Sequence, residues 1–435
     1  MISLVLFSLI ILIGLLTLGV PLPFCFGGSL FVMAVFGGVT MKGMLMWGFN
    51  QLINPVLLCM PLFVLAGNLM ANGGIARSLL DFVNVFVGRI KGGLGIVSVI
   101  TCAVIGAVTG SGFTGVAATG PILIPRMEEE GYPRGYATAL CTCSSTLGLL
   151  IPPSTLMIIY GWITGTSILA CFLATIGPGL LLMLLFIIIN FFYVRKNPNI
   201  KLDEELQKRS TPKIFVSRFW KAIPALMMPV IILGGIYGGV FTPTEAAAVG
   251  VVYSIPIGFW VYKGLTFKDW VDVTVESTTA VGSIMFMIIF CLMLSQTFVF
   301  LQIPQAIVKL MFSITDNTHM ILIMINVLLF VLGMLVNDVT GVVLAAPMLL
   351  PLVIKIGVSP IHFAAIMAVN LGLGGLTPPY ASLLYLGMRI GNVEFMEIIK
   401  PTLILLLFGF IPVVLITSFF PSVVMFIPSM FGFVH

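Results

Sequence analysis

Charge is what this chain has least of. Only 8% of its 435 residues are Asp, Glu, Lys or Arg, against 60% that are hydrophobic. A soluble domain carries about a quarter charged residues, so a large water-soluble domain is excluded. Many apolar runs reach about 20 residues, enough to cross a bilayer. Histidine is almost missing too: His319, His362 and the terminal His435 are all there is. Gly110-Ser111-Gly112 therefore has no histidine expected near it in the membrane, and a serine nucleophile is a weak reading. No G-x-x-x-x-G-K-[ST] occurs, which excludes ATP hydrolysis through a P-loop. Cys25, Cys59, Cys102, Cys141, Cys143, Cys171 and Cys291 form no CxxC and sit in apolar runs. They read as small packing residues rather than metal ligands. Residues 1–20 have the length of a signal peptide but no basic start and no small-residue cleavage site, and read as a retained first span.

What is present is a repeat. Ser111-Gly112-Phe113-Thr114-Gly115 leads to Pro121, Pro125, Gly131, Gly148, Pro152-Pro153 and Gly161. At an offset of 226, Asn337-Asp338-Val339-Thr340-Gly341 leads to Pro347, Pro351, Gly357, Gly374, Pro378-Pro379 and Gly387. Fourteen of 51 gapless positions are identical, and most of the fourteen are Gly, Pro or Thr. Apolar composition alone would match Leu with Leu and Ile with Ile, so these matches argue for duplication. Gly19-Val20 and Pro23 extend it, aligning with Gly239-Val240 and Pro243 at an offset of 220. The halves are roughly 1–194 and 222–427, joined by a polar linker, 195–221.

The pattern predicts an all-α polytopic membrane protein. Helices are expected over 2–20, 22–40 and 54–72, with a weakly amphipathic arm at 75–90. Residues 92–126 are apolar but interrupted at 110–115. Helices at 135–161 and 167–194 follow. The second half predicts 222–239, 245–262 and 274–300, an arm at 301–314, an interrupted 319–356, then 361–388 and 397–427. Each interrupted stretch is too long for one span. Its polar break cannot face lipid, where an unpaired backbone group costs several kcal/mol. Two re-entrant hairpins, with tips buried in protein or lining a cavity, solve this.

Basic residues orient the chain. If the first span runs from outside to inside, Arg77, Arg89, Lys91, Arg126, Arg134, eight linker residues, Lys263, Lys268, Arg389 and Lys400 are cytoplasmic. Only Lys42, Lys309 and Lys355 are outside, and seventeen against three is a strong positive-inside bias. The N-terminus is then periplasmic and the halves are inverted. The linker, with eight basic and three acidic residues, accounts for the net charge of +5, so no nucleic-acid partner is implied.

Broken helices expose free amides and free carbonyls. The amide ends favour anions, and the carbonyls, with Ser, Thr or Asn oxygens, suit Na⁺. Ser111 and Thr114 occupy one tip, Asn337 and Thr340 the other. The second breaks, 147–153 and 373–379, each hold Pro-Pro, which frees carbonyls upstream. Two matched cation sites with an anion between them is the functional reading. The plainer one is that Gly and Pro only permit close packing. Asp338 is the sole acidic residue expected near mid-membrane: a cation ligand, a proton site or a helix cap. Glu245, after Thr242-Pro243-Thr244, reads as a capping carboxylate. Arg126, Glu128, Glu129 and Glu130 read as a solvated cluster at a hairpin exit.

Three stretches carry a family resemblance: Gly238-Gly239-Val240-Phe241-Thr242-Pro243-Thr244-Glu245-Ala246-Ala247-Ala248, Ile124-Pro125-Arg126-Met127 with Gly131-Tyr132, and Gly148-Leu149-Leu150-Ile151-Pro152-Pro153-Ser154. Thr377-Pro378-Pro379 is similar to the second-repeat motif. Over nearly its whole length the chain resembles the large membrane subunit of a TRAP transporter, the tripartite ATP-independent periplasmic class, DctM-like. The resemblance implies an elevator-type secondary transporter driven by Na⁺ in a bacterial inner membrane, with no other cofactor. It implies a small four-helix membrane subunit and a periplasmic binding protein that delivers a carboxylate-bearing solute. Sodium sites would lie around Ser111, Thr114, Gly148 and Ile151, and around Asn337, Thr340, Gly374 and Thr377. Substrate contacts are expected at Gly112, Ser154, Asp338 and Tyr380. Two departures stand out. Tyr380-Ala381 follows the second Pro-Pro where Val-Gly is common, and Gly112-Phe113-Thr114 stands where Ser and Ala are commoner. Sialic acids, C4-dicarboxylates and sugar acids all remain open as cargo.

This reading divides the chain into scaffold (1–91), transport segment (92–166), scaffold with linker (167–318), transport segment (319–396) and a C-terminal helix (397–435). The rival readings are a stand-alone sodium- or proton-coupled carboxylate transporter without a binding protein, and a non-transporting scaffold or intramembrane enzyme.

Overall fold

The computed structural model describes residues 2–87, 90–198, 200 and 212–433. Among them every regular element is a helix. Among the described residues, nine helical segments are long and apolar enough to cross a membrane. Residues 199 and 201–211 of the linker lie outside the described residues.

The first half begins with α1 (Ile2–Thr17), α2 (Leu22–Gly37), α3 (Met41–Leu52) and α4 (Cys59–Asn72). The arm α5 (Ile75–Val87) follows. Hairpin 1 is α6 (Gly93–Thr109) and α7 (Gly112–Glu129). The broken helix is α8 (Arg134–Ser145), a single turn α9 (Leu147–Leu150) and α10 (Thr155–Thr164), and the long α11 (Ile168–Lys196) closes the half. The second half holds α12 (Pro212–Tyr237), α13 (Pro243–Pro256), α14 (Phe267–Phe300) and the arm α15 (Ile303–Ile314). Hairpin 2 is α16 (Thr318–Leu335) and α17 (Asp338–Lys355). The second broken helix is α18 (Pro360–Gly374) and α19 (Ser382–Gly391), followed by α20 (Phe395–Leu405), α21 (Ile411–Phe419) and α22 (Pro421–Met430).

Three expectations need correction. Helix α3 was missed because Lys42, Asn50 and Gln51 interrupt its apolar run; Met44 and Gly48 are its buried residues, and it packs on α14. Helix α14 starts seven residues earlier than expected, because Thr266 and Asp269 form a capping box there. The C-terminal helix is not continuous: α21 ends at Phe419 and Pro421 starts α22. Helix α11 packs on α6, α9, α10, α18 and α22; α20 packs on α8. The contacts thus join α11 and the C-terminal helices to the hairpins.

Two bodies result. Helices α1–α4 and α12–α14 pack on one another, tied by Asn68 Nδ2 to Ser277 Oγ at 2.9 Å and by Cys59 Sγ beside Thr244 Oγ1 at 3.1 Å. Glu245 closes a capping box with Thr242 at the start of α13, as expected. The other body interlocks the halves. Helix α10 packs on α17 of hairpin 2, and α19 packs on α7 of hairpin 1. The arms touch hairpins: α5 lies on α6, and α15 lies on α17. At the hairpin 1 exit, Arg134 Nη1 pairs with Glu128 at 2.7 Å and Arg126 with Asp81 at 3.9 Å, all partly exposed.

Matched polar ties hold each half closed. The Tyr136 hydroxyl donates to Asn190 Oδ1 (3.4 Å), and Asn190 Nδ2 donates to the Gly92 carbonyl (3.1 Å). At the position that matches Tyr136, His362 Nε2 lies 2.7 Å from the Thr417 carbonyl. Nearby, Asn370 Nδ2 and Ser418 Oγ both donate to Asn326 Oδ1, at 2.6 and 3.0 Å.

Candidate functional site

Both hairpins turn where the sequence predicts a break, by different devices. In hairpin 1, Gly110 caps α6 in the left-handed region (φ 63°), and its N–H donates to the Gly106 carbonyl at 2.8 Å. Glycine adopts that conformation without the Cβ penalty. Ser111 starts α7 but makes no side-chain cap. Instead the Thr109 hydroxyl bridges the turn: it accepts from Ser111 N–H and donates to Ser111 O, both at 3.3 Å. In hairpin 2, Val336 is extended, and Asn337 caps α17 by accepting the Val339 N–H on Oδ1 at 3.0 Å. Asp338 Oδ1 accepts the same N–H at 2.9 Å. Asn337 therefore has a structural job beside any ligand role.

Each tip meets its broken helix through a glycine crossing. Gly148 lies on Gly106, and a Cβ on Gly148 would come within 2.9 Å of the Ser111 carbonyl oxygen and 3.0 Å of Gly106 Cα. At the matching place Gly374 lies on Gly333, with too little room for a methyl group. Across the first crossing, the Gly110 carbonyl accepts from Thr155 N–H (3.3 Å) and Thr155 Oγ1 (3.0 Å). Across the second, Tyr380 N–H donates to the Met334 carbonyl at 3.0 Å. Ser111, Gly148 and Ile151 are thus drawn together at one tip, and Asn337, Gly374 and Tyr380 at the other.

The breaks free carbonyls unequally. Both Pro-Pro bonds are cis, and proline has no N–H, so the carbonyls of Gly148 and Leu149 lose their helical donors. Ser154 Oγ replaces one, donating to Leu149 O at 2.7 Å. Among the described residues no tertiary donor replaces the other, and Gly148 O stays free. In the second break Thr377 N–H serves Gly374 O at 2.9 Å and Leu383 N–H serves Gly375 O at 3.3 Å. The first break is buried around Pro152, Pro153 and Ser154, whereas Thr377, Pro378 and Tyr380 are half-buried and Pro379 is exposed.

The remaining site residues spread out. Thr114 is half-buried on the first turn of α7 and Gly112 is buried beside Ser145 and Leu383. Ser154 is fully buried with its hydroxyl on Leu149 O, away from open space. Thr340 is fully buried, and its hydroxyl turns to Met287 Sδ at 3.2 Å on α14 rather than toward the tip. Thr377 Oγ1 donates back to Leu373 O at 2.9 Å.

A cavity of about 800 Å³ opens beside the second tip. Asn337, Pro379, Tyr380 and Tyr385 line one wall; Thr17, the α1–α2 turn, Ser283 and Met287 line the other. The sequence marked Asn337, Pro379 and Tyr380 of the first wall. It missed the second, although Gly19-Val20 and Pro23 were visible as repeat matches. Among the described residues no group of His, Cys, Asp and Glu is arranged to hold a metal ion, and the seven cysteines are buried and free.

Comparison with known proteins fits this geometry. The family described as "Tripartite ATP-independent periplasmic transporter, DctM component" matches residues 9–422. The C4-dicarboxylate TRAP transporter large permease protein DctM of Pseudomonas aeruginosa is 34% identical, covering 86% of this chain and 87% of that protein. The sialic acid large permease protein SiaM of Vibrio cholerae is 32% identical over 96% and 97%. The isethionate permease DctMQ of Oleidesulfovibrio alaskensis is 33% identical, and the chain spans 94% of itself but 64% of that longer protein. A solved structure, the YdaH transporter of Alcanivorax borkumensis, superposes with a TM-score of 0.59 at 16% identity, over 86% of this chain and 87% of that one, which speaks for the fold alone. The relatives are permeases, so the chain is a multi-pass transport protein and not an enzyme. With the family matched over almost all of its length, this chain belongs to the DctM components of the tripartite ATP-independent periplasmic transporters.

Proposed function

We propose that the chain is the membrane permease of a sodium-coupled uptake system for a carboxylate-bearing solute, working in a bacterial inner membrane with a small membrane subunit and a periplasmic binding protein. One observation carries the reading: two repeat-related tips each meet a Pro-Pro break, one beside a donorless Gly148 carbonyl and one beside a cavity. At the first tip, Gly148 O with Ser111, Thr114 and Ile151 would hold Na⁺. At the second, Asn337 and the Gly374–Thr377 turn would do so. Sodium supplies positive charge there, and that charge favours a carboxylate nearby.

The residues themselves supply the rest. Gly106 and Gly148, like Gly333 and Gly374, let tip and break approach closely. Asn337 fixes the start of α17, so its amides keep their direction. Ion binding that tightens these elements lowers the ordering needed for solute, which is coupling by linked equilibria. The two-body packing suits an elevator: the hairpins, broken helices, α11 and the C-terminal helices would travel against α1–α4 and α12–α14. Positive-inside placement would set the α1–α2 turn, part of the cavity wall, on the cytoplasmic side. Related permeases are named for C4-dicarboxylate, sialic acid and ectoine, which makes those solutes the first panel to test.

The test is reconstitution of the chain with its small subunit in liposomes, with candidate binding proteins added. Uptake should need an inward Na⁺ gradient and a binding protein. Equal uptake from choline medium would reject sodium coupling. Equal uptake without any binding protein would favour a stand-alone transporter.

A further inference from the structure

The two walls of the cavity beside the second tip differ in what they offer a solute. The far wall, from α1, the α1–α2 turn and α14, is apolar apart from Thr17 and Ser283. Both hydroxyls already donate within their own helices, Thr17 Oγ1 to the Gly14 carbonyl at 2.8 Å and Ser283 Oγ to the Thr279 carbonyl at 3.0 Å. The turn adds little. Its Gly19 and Val20 N–H groups are held by the Leu16 and Leu15 carbonyls at 3.0 and 3.1 Å, and Pro21 and Pro23 have no N–H. On the tip wall, Tyr385 donates to the Pro379 carbonyl at 3.4 Å, and Asn337 Oδ1 holds the Val339 N–H. Tyr380 differs. Its N–H is tied to Met334, but its hydroxyl makes no hydrogen bond among the described residues.

A carboxylate accepts hydrogen bonds and donates none. A hydroxyl whose hydrogen points at a backbone carbonyl turns only lone pairs toward it. Hydrogen for a carboxylate is therefore on the tip wall, at Tyr380. A second carboxylate would meet the far wall, and no Lys, Arg or His is among the residues that line the cavity. An unpaired charge is costly to bury there. Two accepting hydroxyls on that wall are also too few for the many hydroxyls of a sugar acid, and each one left without a partner loses the bonds it made to water. An apolar body suits the far wall, as in pockets that bind through apolar area and take orientation from a few polar groups. At about 800 Å³ the cavity has room for such a body.

Resting on the transport reading above, we propose that the cargo is a monocarboxylate with an apolar body, its carboxylate held by the Tyr380 hydroxyl and its body laid against Leu16, Leu22, Ile284 and Met287. Tyr380 is then the specificity-determining residue of this site. Dicarboxylates and sugar acids bind less well.

The experiment is equilibrium binding to the full chain with its small subunit in lipid nanodiscs, in sodium chloride and in choline chloride, with empty nanodiscs as the blank. The probes are 4-methylpentanoate, its uncharged amide, succinate and N-acetylneuraminate. In sodium, the wild type should bind 4-methylpentanoate about ten-fold or more tightly than succinate or N-acetylneuraminate. Tyr380→Phe keeps the ring and should cut the preference for the acid over its amide at least about five-fold, because a hydrogen bond to a charged acceptor is roughly twice as strong as one to a neutral acceptor. General damage weakens acid and amide together, so an unchanged preference in Tyr380→Phe overturns the proposal. Succinate or N-acetylneuraminate bound by the wild type as tightly as 4-methylpentanoate also overturns it, as does no binding of 4-methylpentanoate at all; Na⁺-dependent binding of either rival would leave the transport reading standing. Binding indifferent to Na⁺ for every ligand removes the coupling reading, and this proposal with it.

Discussion

Replacing Gly148 by alanine tests the first tip where it is tightest. The new methyl would sit 2.9 Å from the Ser111 carbonyl oxygen, 3.0 Å from Gly106 Cα and 3.1 Å from the Ser111 carbonyl carbon. All three are backbone atoms, so no rotamer change relieves the contact. Comfortable separation begins near 3.5 Å, so tip and break must part by roughly 0.5 Å. Overpacking of this kind costs about 1–3 kcal/mol. If the strain falls on the ion-bound state, in which tip and break are held closest, sodium affinity drops by about 10-fold for each 1.4 kcal/mol. The assay is Na⁺-dependent uptake in liposomes, read as the half-saturating Na⁺ concentration, beside thermal unfolding in detergent. The half-saturation should rise about 5- to 150-fold, the range those energies convert to. Gly234→Ala is the control, since nothing lies within 4 Å of a Cβ there, and it should leave half-saturation unchanged. A Gly148→Ala chain with normal sodium half-saturation would refute the idea that the Gly106–Gly148 crossing forms part of a cation site.

Three further outcomes are expected. Asn337→Ala removes the cap on α17 and should lower stability by about 1 kcal/mol, with a larger loss of Na⁺-dependent uptake than of thermal midpoint. Ala381, fully buried at φ 34°, occupies a left-handed conformation that L-residues resist; Ala381→Gly should raise the unfolding midpoint, by up to about 1 kcal/mol in stability. Asn190→Ala would strand the buried Tyr136 hydroxyl at about 1–3 kcal/mol, and proteolysis near the base of hairpin 1 should speed up.

The breaks were legible because Gly and Pro act locally. Gly110, Asn337 and the two Pro-Pro pairs terminate helices wherever they stand, and the duplicated spacing ruled out coincidence. Glu245 was legible for the same reason: Thr242-Pro243-Thr244-Glu245 is a cap whose partners lie within three residues. Packing was not legible. Thr340 matches Thr114 in sequence, yet its hydroxyl turns to Met287 on α14, because the hairpin 2 tip lies against the other body. Ser154, expected as a substrate contact, gives its hydroxyl to the Leu149 carbonyl that Pro153 leaves without a donor. The far wall of the cavity comes from the α1–α2 turn, hundreds of residues from Asn337, and only three-dimensional proximity joins them.

The central claim is that both tip-and-break units hold sodium. Backbone hydrogen exchange of the full chain, measured in sodium chloride and in choline chloride at equal ionic strength, addresses both units at once. The account predicts slower exchange in sodium across 109–115 with 147–155 and across 336–341 with 374–383, and no change along α12. Identical exchange of both units in the two salts would contradict it.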